Sequence, residues 1–238
     1  MRILFLIFIS FFLSSDLVIE ITRGAEKQIK LGLIQSDLTT FEGSQIIDVI
    51  RNDLERTGEF IIIPSREMLS IPTSADNVIH RDWLLLDADA IIFLTAKKLG
   101  ESTDIAYSVY DIRAKKTVLK KIIYGVPDGL RQSSHYVSDG IYKYFYGIEG
   151  VSSTKLMYVA KNDDIYRLIV SDADGFNEQT LLKSTQSIIS PAWSPDAKDV
   201  AYVSFENNRA QVFTQNLETG IRELILTSLR NSPRLCTR

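Results

Sequence analysis

The sequence repeats once at a spacing of about 44 residues, and that period limits the fold more than any other feature. Met157-Tyr158-Val159 returns as Ala201-Tyr202-Val203, and Leu168-Ile169-Val170 as Val212-Phe213-Thr214. The turn Asp174-Gly175 returns one step later as Thr219-Gly220. Short strands recurring every ~40–45 residues are the signature of β-propeller blades, and no blade can bury its faces alone. A closed propeller has about four to eight blades, whereas this sequence holds about two. Ser190-Pro191-Ala192-Trp193-Ser194-Pro195-Asp196 separates the copies, and Ser232-Pro233 resembles the start of its next occurrence. The reading is therefore a C-terminally truncated chain, with a partial propeller and a basic, aperiodic tail over 151–238. Trp193, Val203 and Phe205 are expected on the apolar faces that two blades leave uncovered.

Upstream of residue 151 the pattern changes. Lys30–Ile34 reads as a strand. Ile46, Ile47, Ile50 and Leu54 recur at helical spacing, and Gly58 stands where a left-handed residue closes a helix. The continuous apolar run Phe60–Ile63, ended by Pro64, and the run Ala90–Thr95 read as strands of a sheet interior. A short helix is expected over Ser65–Leu69 and another over Arg81–Leu86. Asp104–Ile112 alternates in polarity and Thr117–Tyr124 is its hairpin partner. Leu130, Ser134, Val137, Ile141, Tyr144 and Phe145 form the apolar stripe of a helix ending at Gly147. Helices alternating with buried strands, followed by a meander, predict an α/β domain with a mixed sheet over 16–150.

The first fifteen residues have the order of a secretory signal peptide. Arg2 is followed by a run from Ile3 to Leu13 that is apolar apart from Ser10, then the small pair Ser14-Ser15. That run is shorter than the ~20 residues a spanning helix needs. Cys236 is the single cysteine, so no intrachain disulfide can form. The formal net charge of −3 gives no footprint for nucleic acid. The basic tract Lys115-Lys116 with Lys120-Lys121 reads as a solvated strand or hairpin end.

No residue pattern demands catalysis. His80 and His135 have no second His or Cys at metal-ligand spacing and read as structural. There is no Gly-x-Ser-x-Gly elbow and no glycine-rich phosphate loop. Asp172–Asn177 resembles the start of a calcium loop but lacks its closing carboxylate, with Leu182 and Lys183 there instead. A hairpin turn is the expected role. Ser194, Pro195 and Asp196 read as a structural blade turn, because Pro presets φ and Asp caps its own turn. No catalytic residue, metal or cofactor is expected. What remains is a β-capable segment directly after the signal: Asp16, Leu17, Val18, Ile19, Glu20, Ile21, Thr22 and Arg23. A segment of this kind can pair within its own domain or join a partner's sheet.

Taken in order, these pieces resemble the TolB family, periplasmic propeller proteins of the Tol–Pal system of Gram-negative bacteria. The likeness is carried by Leu17–Gly24, Ile50–Phe60, Pro72–Ala75, Asp82-Trp83, Val137–Asp139, Arg167–Asn177, Ser190–Lys198 and Ala201–Glu206. Ala197 stands where the family usually has Gly. The resemblance implies an N-terminal α/β domain, a six-bladed propeller, no catalysis and no cofactor. It implies contact of Asp16–Arg23 with a TolA-like inner-membrane protein and of the propeller with a Pal-like lipoprotein. The role it implies is a non-enzymatic periplasmic adaptor supporting outer-membrane integrity and envelope invagination at division. Two other readings stay open from sequence: a non-functional fragment of such a protein, and a fragment of a secreted propeller hydrolase.

Overall fold

The structure is a computed structural model and describes residues 27–35, 41–125 and 129–227. The signal peptide, the segment Asp16–Arg23 and Ser232-Pro233 lie outside the described residues. In chain order the first region comprises β1 (Ile29–Gln35), α1 (Phe41–Arg56), β2 (Phe60–Ile62), α2 (His80–Leu85), β3 (Ala90–Leu99), β4 (Ser102–Asp111), β5 (Lys116–Ile123) and α3 (Leu130–Tyr146). Single 3-10 turns at Ser65–Glu67 and Ala75–Asn77 precede α2. The sheet order is β2-β1-β3-β4-β5. β1 runs parallel to β2 and β3, while β3, β4 and β5 form an antiparallel meander. This is the mixed sheet that the alternation of helices and strands predicts.

Successive side chains of a strand point to opposite faces, and the two faces carry two cores. Leu31 and Leu33 of β1, Ile92 and Leu94 of β3, and Ile105, Tyr107 and Val109 of β4 pack against Ile46, Ile50 and Leu54 of α1 and Val137 and Ile141 of α3. The other face buries Ile34, Ile91, Phe93, Tyr110 and Ile112 beneath Trp83 of α2 and Val78.

Phe60–Ile63 departs from expectation. It reads as an interior strand, but among the described residues it pairs only with β1, at the edge of the sheet. Its apolarity answers covering layers rather than flanking strands. Phe60 meets the edges of Tyr142, Phe145 and Tyr146 of α3 at 6.1, 5.8 and 5.6 Å, and Ile63 enters the opposite core. Ile61 is 39% exposed. Tyr144, expected in the α3 stripe, points outward, and Tyr142 and Tyr146 pack on the core in its place. Gly147 closes α3 at φ 73°, its N–H donating to the Lys143 carbonyl.

The second region is all β. β6 (Lys155–Asn162), β7 (Ile165–Asp172) and β8 (Gln179–Ser184) form one antiparallel sheet. β9 (Ile188–Trp193), β10 (Asp199–Ser204), β11 (Gln211–Asn216) and β12 (Arg222–Thr227) form the next. Leu168 of the first sheet packs with Ile188, Val200, Tyr202 and Phe213 of the second. Trp193 is corrected here. It pairs with Val200 and so shares that residue's face, turned toward the first blade rather than left uncovered. β9 itself is absent from the sequence reading because Pro191 argues against a strand. It is an edge strand in this sheet, with Ser190 at φ 53° and a register shift opposite Ala201–Val203, the setting in which proline is tolerated.

One close approach fixes how α3 sits on the sheet. A β-carbon at Gly140 would collide with the Tyr107 hydroxyl, which is buried without a hydrogen-bond partner. Burial pushes the Tyr107 pKa up to about 12 from 10.0. A folded-state value above the unfolded one means that the neutral phenol's contribution is complete below pH 10.0 and lost as pH rises toward 12. Tyr107→Phe should therefore reduce the alkaline loss of stability over that window, read by urea unfolding at stepped pH. Gly140→Ala should destabilise by about 1–3 kcal/mol through overpacking. In the Tyr107→Phe background the same change should be neutral or favourable, since Ala is the better helix former by about 1 kcal/mol. Equal costs in both backgrounds would refute the contact.

Candidate functional site

The polar chemistry of the molecule concentrates where α3 meets the first blade. Arg131, His135 and Asp139 recur every fourth residue and so share one helix face. His135 is fully buried, and its Nδ1 lies 2.7 Å from Asp53 Oδ2 of α1. A carboxylate only accepts, so Nδ1 carries the proton. Arg56 holds the other Asp53 oxygen at 3.0 Å. On its far side, His135 Nε2 has no hydrogen-bond partner and points toward Asp174 Oδ2 at 4.0 Å.

Asp174 belongs to the β7–β8 turn of the blade, and Arg131 grips its carboxylate directly. The Arg131 guanidinium also lies 4.1 Å over the Phe176 ring, a cation–π contact. Asp172, in the same turn, is paired with Lys155 and accepts from Asn177 Nδ2 at 2.8 Å. Burial alone would raise the Asp172 carboxyl, but the Lys155 and Asn177 hydrogen bonds and the nearby His135 hold it below 3.8. Its contribution is therefore complete above that pH and lost as pH falls through the folded value. One turn further along α3, Asp139 accepts from the backbone N–H groups of Ser152 and Ser153 at 2.7 and 3.0 Å. Gln132 Nε2 donates to the Ser153 carbonyl at 3.0 Å. The connection between the two regions is thus bound back onto the helix it leaves.

Asp53, His135 and Asp174 offer ligand atoms within 4.8 Å of one another, so a metal role has to be weighed. The donor set argues against it. Asp53 already bears Arg56 and the His135 N–H, Asp174 bears Arg131, and the adjacent Asp172 bears Lys155. Only His135 Nε2 is uncommitted, and a divalent ion there would sit beside a guanidinium. The arrangement is an ion-paired latch between two regions. The calcium-like run Asp172–Asn177 forms the hairpin turn expected of it. Gly175 N–H donates to the Asp172 carbonyl, and Asp172 N–H to the Phe176 carbonyl. His80 pairs with the Tyr110 hydroxyl at 2.8 Å on the opposite face of the sheet.

Sequence reasoning saw the apolar stripe of α3 and both histidines but not the latch. The four-residue spacing of Arg131, His135 and Asp139 was the available signal. Of the residues singled out from sequence, Asp16–Arg23 lie outside the described residues. Ser194, Pro195 and Asp196 form the β9–β10 turn. Ser194 Oγ donates to Asp196 Oδ1 at 2.6 Å and accepts from Asp199 N–H at 3.0 Å. The Ser194 hydroxyl, with the Lys198 N–H, keeps the Asp196 carboxyl below its usual range. This turn rims a cleft of about 640 Å³ between the blades, lined by Trp193, Ala197, Leu217, Thr154 and Asn177.

Known proteins share this architecture. The TolB amino-terminal domain family matches residues 17–118, and the TolB beta propeller domain family matches residues 142–233. A protein of Hahella chejuensis named Tol-Pal system protein TolB is 37% identical over 218 residues, 87% of this chain and 50% of that protein. One of the same name from Pseudomonas syringae pv. syringae is 34% identical over 215 residues, 86% of this chain and 49% of that protein. The crystal structure of TolB from Acinetobacter baumannii superposes with a TM-score of 0.76 at 29% identity, over 85% of this chain and 50% of that one. The chain is TolB-like. It spans about half the length of the curated relatives it matches.

Two expectations follow for this TolB-like chain. Asp174→Ala removes the carboxylate that Arg131 grips and that His135 Nε2 faces, leaving the Phe176 ring and the more distant Asp172 as the blade's contacts with Arg131. Breaking a fully buried pair costs about 3–5 kcal/mol; here Arg131 keeps some solvent contact, so a loss of about 2 kcal/mol is expected. It should appear as new protease cleavage at 147–154, with Asp164→Ala, in the blade's other turn, as the unaffected control. Unchanged cleavage would show that the latch does not hold the regions together. Ala197 adopts φ 57°, a left-handed conformation costing an L-residue about 1–2 kcal/mol. Ala197→Gly should stabilise the blades by up to about 1 kcal/mol, measured as slower amide exchange in β9–β11.

Proposed function

We propose that this chain acts as a non-enzymatic periplasmic component of a Tol–Pal-type system, working through protein–protein binding. The observation that carries this reading is the ordered match of both TolB domain families along one chain. The latch agrees with it. The carboxylates at the junction are committed to ion pairs, and that of Asp174 with Arg131 bridges the two regions. In this reading the first fifteen residues are an export signal, removed on secretion. No helix among the described residues is long and apolar enough to cross a membrane.

The binding element we assign is Asp16–Arg23, directed to a TolA-like inner-membrane protein. It leads into β1, whose beginning is held on several sides. Lys27 pairs with Asp87 at 3.1 Å, Gln28 Nε2 donates to the Gly58 carbonyl at 2.8 Å, and Ile29 N–H donates to the Glu59 carbonyl at 2.9 Å. A recognition segment tethered there is continuous with the central strands of the sheet. The propeller region is assigned to a Pal-like lipoprotein, and the role to outer-membrane integrity and envelope invagination during division.

Deleting 16–23 from the full chain tests the assignment. Capture by a purified TolA-like C-terminal domain should be lost while the melting temperature stays within a few degrees. A large fall in melting temperature with capture retained would make the segment an internal strand and refute its role.

A further inference from the structure

The N-terminal sheet is covered unevenly. On the face that carries Trp83, the core ends at Phe93 of β3 and Tyr110 of β4. Further along the same strands, Thr95 and Lys97 of β3, Ala106 and Ser108 of β4, and Lys120 and Ile122 of β5 share that face by strand alternation and register. They line two adjoining clefts of about 520 and 510 Å³. Ile122 is 52% exposed and Tyr124, just beyond β5, is 74% exposed. The floor between them is the small side chain of Ala106.

The neighbouring edge is open as well. Among the described residues β5 is the last strand in the sheet order and pairs only with β4. From Leu119 to Ile123 its register is regular, the one shift lying nearer its start, opposite Val109–Tyr110. Such an edge presents a row of backbone donors and acceptors that can template another strand. Its flanks are basic: Lys97, Lys120 and Lys121 are exposed and have no carboxylate at ion-pair distance among the described residues. The acidic side chain lining these clefts is Asp104, whose Oδ1 already accepts from Gly125 N–H at 3.0 Å. In a chain of net charge −3 this is a local reversal of sign.

These features select among occupants. A second copy of β5 would place lysines against lysines, which is unfavourable across strands. An acidic extended segment of this alternation sets its carboxylates beside Lys121 and its apolar side chains on the floor beside Ile122 and Tyr124, where Lys97 and Lys120 add attraction through its net charge. We propose that the β5 edge binds an acidic, extended segment of a partner protein as a sixth strand of the sheet. Backbone pairing supplies the attachment, and the lysines with the Ile122–Tyr124 floor supply the choice of sequence. The residues of this site are distinct from Asp16–Arg23 and from those of the blades, and the proposal does not rest on the reading of either.

The test uses the full chain, labelled for amide NMR, and a blocked seven-residue peptide alternating Glu and Val. Shifts and slowed amide exchange are expected along Lys116–Ile123, weakening with added salt. Lys120→Glu with Lys121→Glu should reduce affinity at least tenfold. Tyr124→Ala should reduce it several-fold while leaving the amide spectrum otherwise unchanged. Should the double reversal unfold the chain, Lys120→Gln with Lys121→Gln replaces it, with an intermediate loss expected. Equal binding of the Lys–Val counterpart, or shifts confined to β2, β8 or β12, would overturn the proposal. So would binding of anionic phosphatidylglycerol vesicles through the same lysines with no response to the peptide.

Discussion

Arg131, His135 and Asp139 stand four residues apart on α3, and through them one helix serves two structures. Its apolar side completes the N-terminal core through Val137 and Ile141, and its polar side holds the blade and the connection leading to it. Burying a histidine between two aspartates is costly unless each charge is matched. Arg56, Arg131 and Lys155 provide the matching, drawn from α1, α3 and β6. The charges at the junction therefore come from both regions. Neither half is electrostatically complete alone, which is why the path from Gly147 to Lys155 can be short and still hold a defined course.

Packing supports this arrangement from below. Gly140 lets α3 settle onto Tyr107 where a β-carbon would meet the hydroxyl, and His135 of the same helix bonds Asp53. Phe60 performs the matching task at the other end of the helix, where three aromatic rings of α3 close over the short edge strand. Helix height and helix rotation are thus set by different residues, and the polar face takes its position from both.

Much of this was legible in the sequence because periodicity reports burial directly. The stripe Ile46, Ile50, Leu54 and the alternation Ile105, Tyr107, Val109 each mark a face, and each face is where the pattern puts it. The 44-residue repeat likewise marks paired blades. The errors share a different origin. Phe60–Ile63 is apolar because layers cover it, a fact that strand order alone reveals. β9 contains Pro191, whose cost vanishes at a sheet edge, and no local rule knows where edges fall. The latch was illegible because its partners, Asp53, His135 and Asp174, are far apart in sequence and individually ordinary. Only the fold makes them neighbours.

The repeat and the blades are also out of phase. β6, β7 and β8 correspond by the repeat to β10, β11 and β12, so among the described residues the first blade has no counterpart of β9. The position that counterpart would occupy in the sequence is Tyr144–Glu149, the end of α3 and the start of the connection that follows it. The first transposable unit of this architecture accordingly begins at Ile188, not at Lys155. A module swapped at β9 carries its own inner strand and its own Ser-Pro-Asp turn. One swapped at β6 would bring Asp172 and Asp174 with it, and would have to find an arginine and a histidine waiting on the recipient helix.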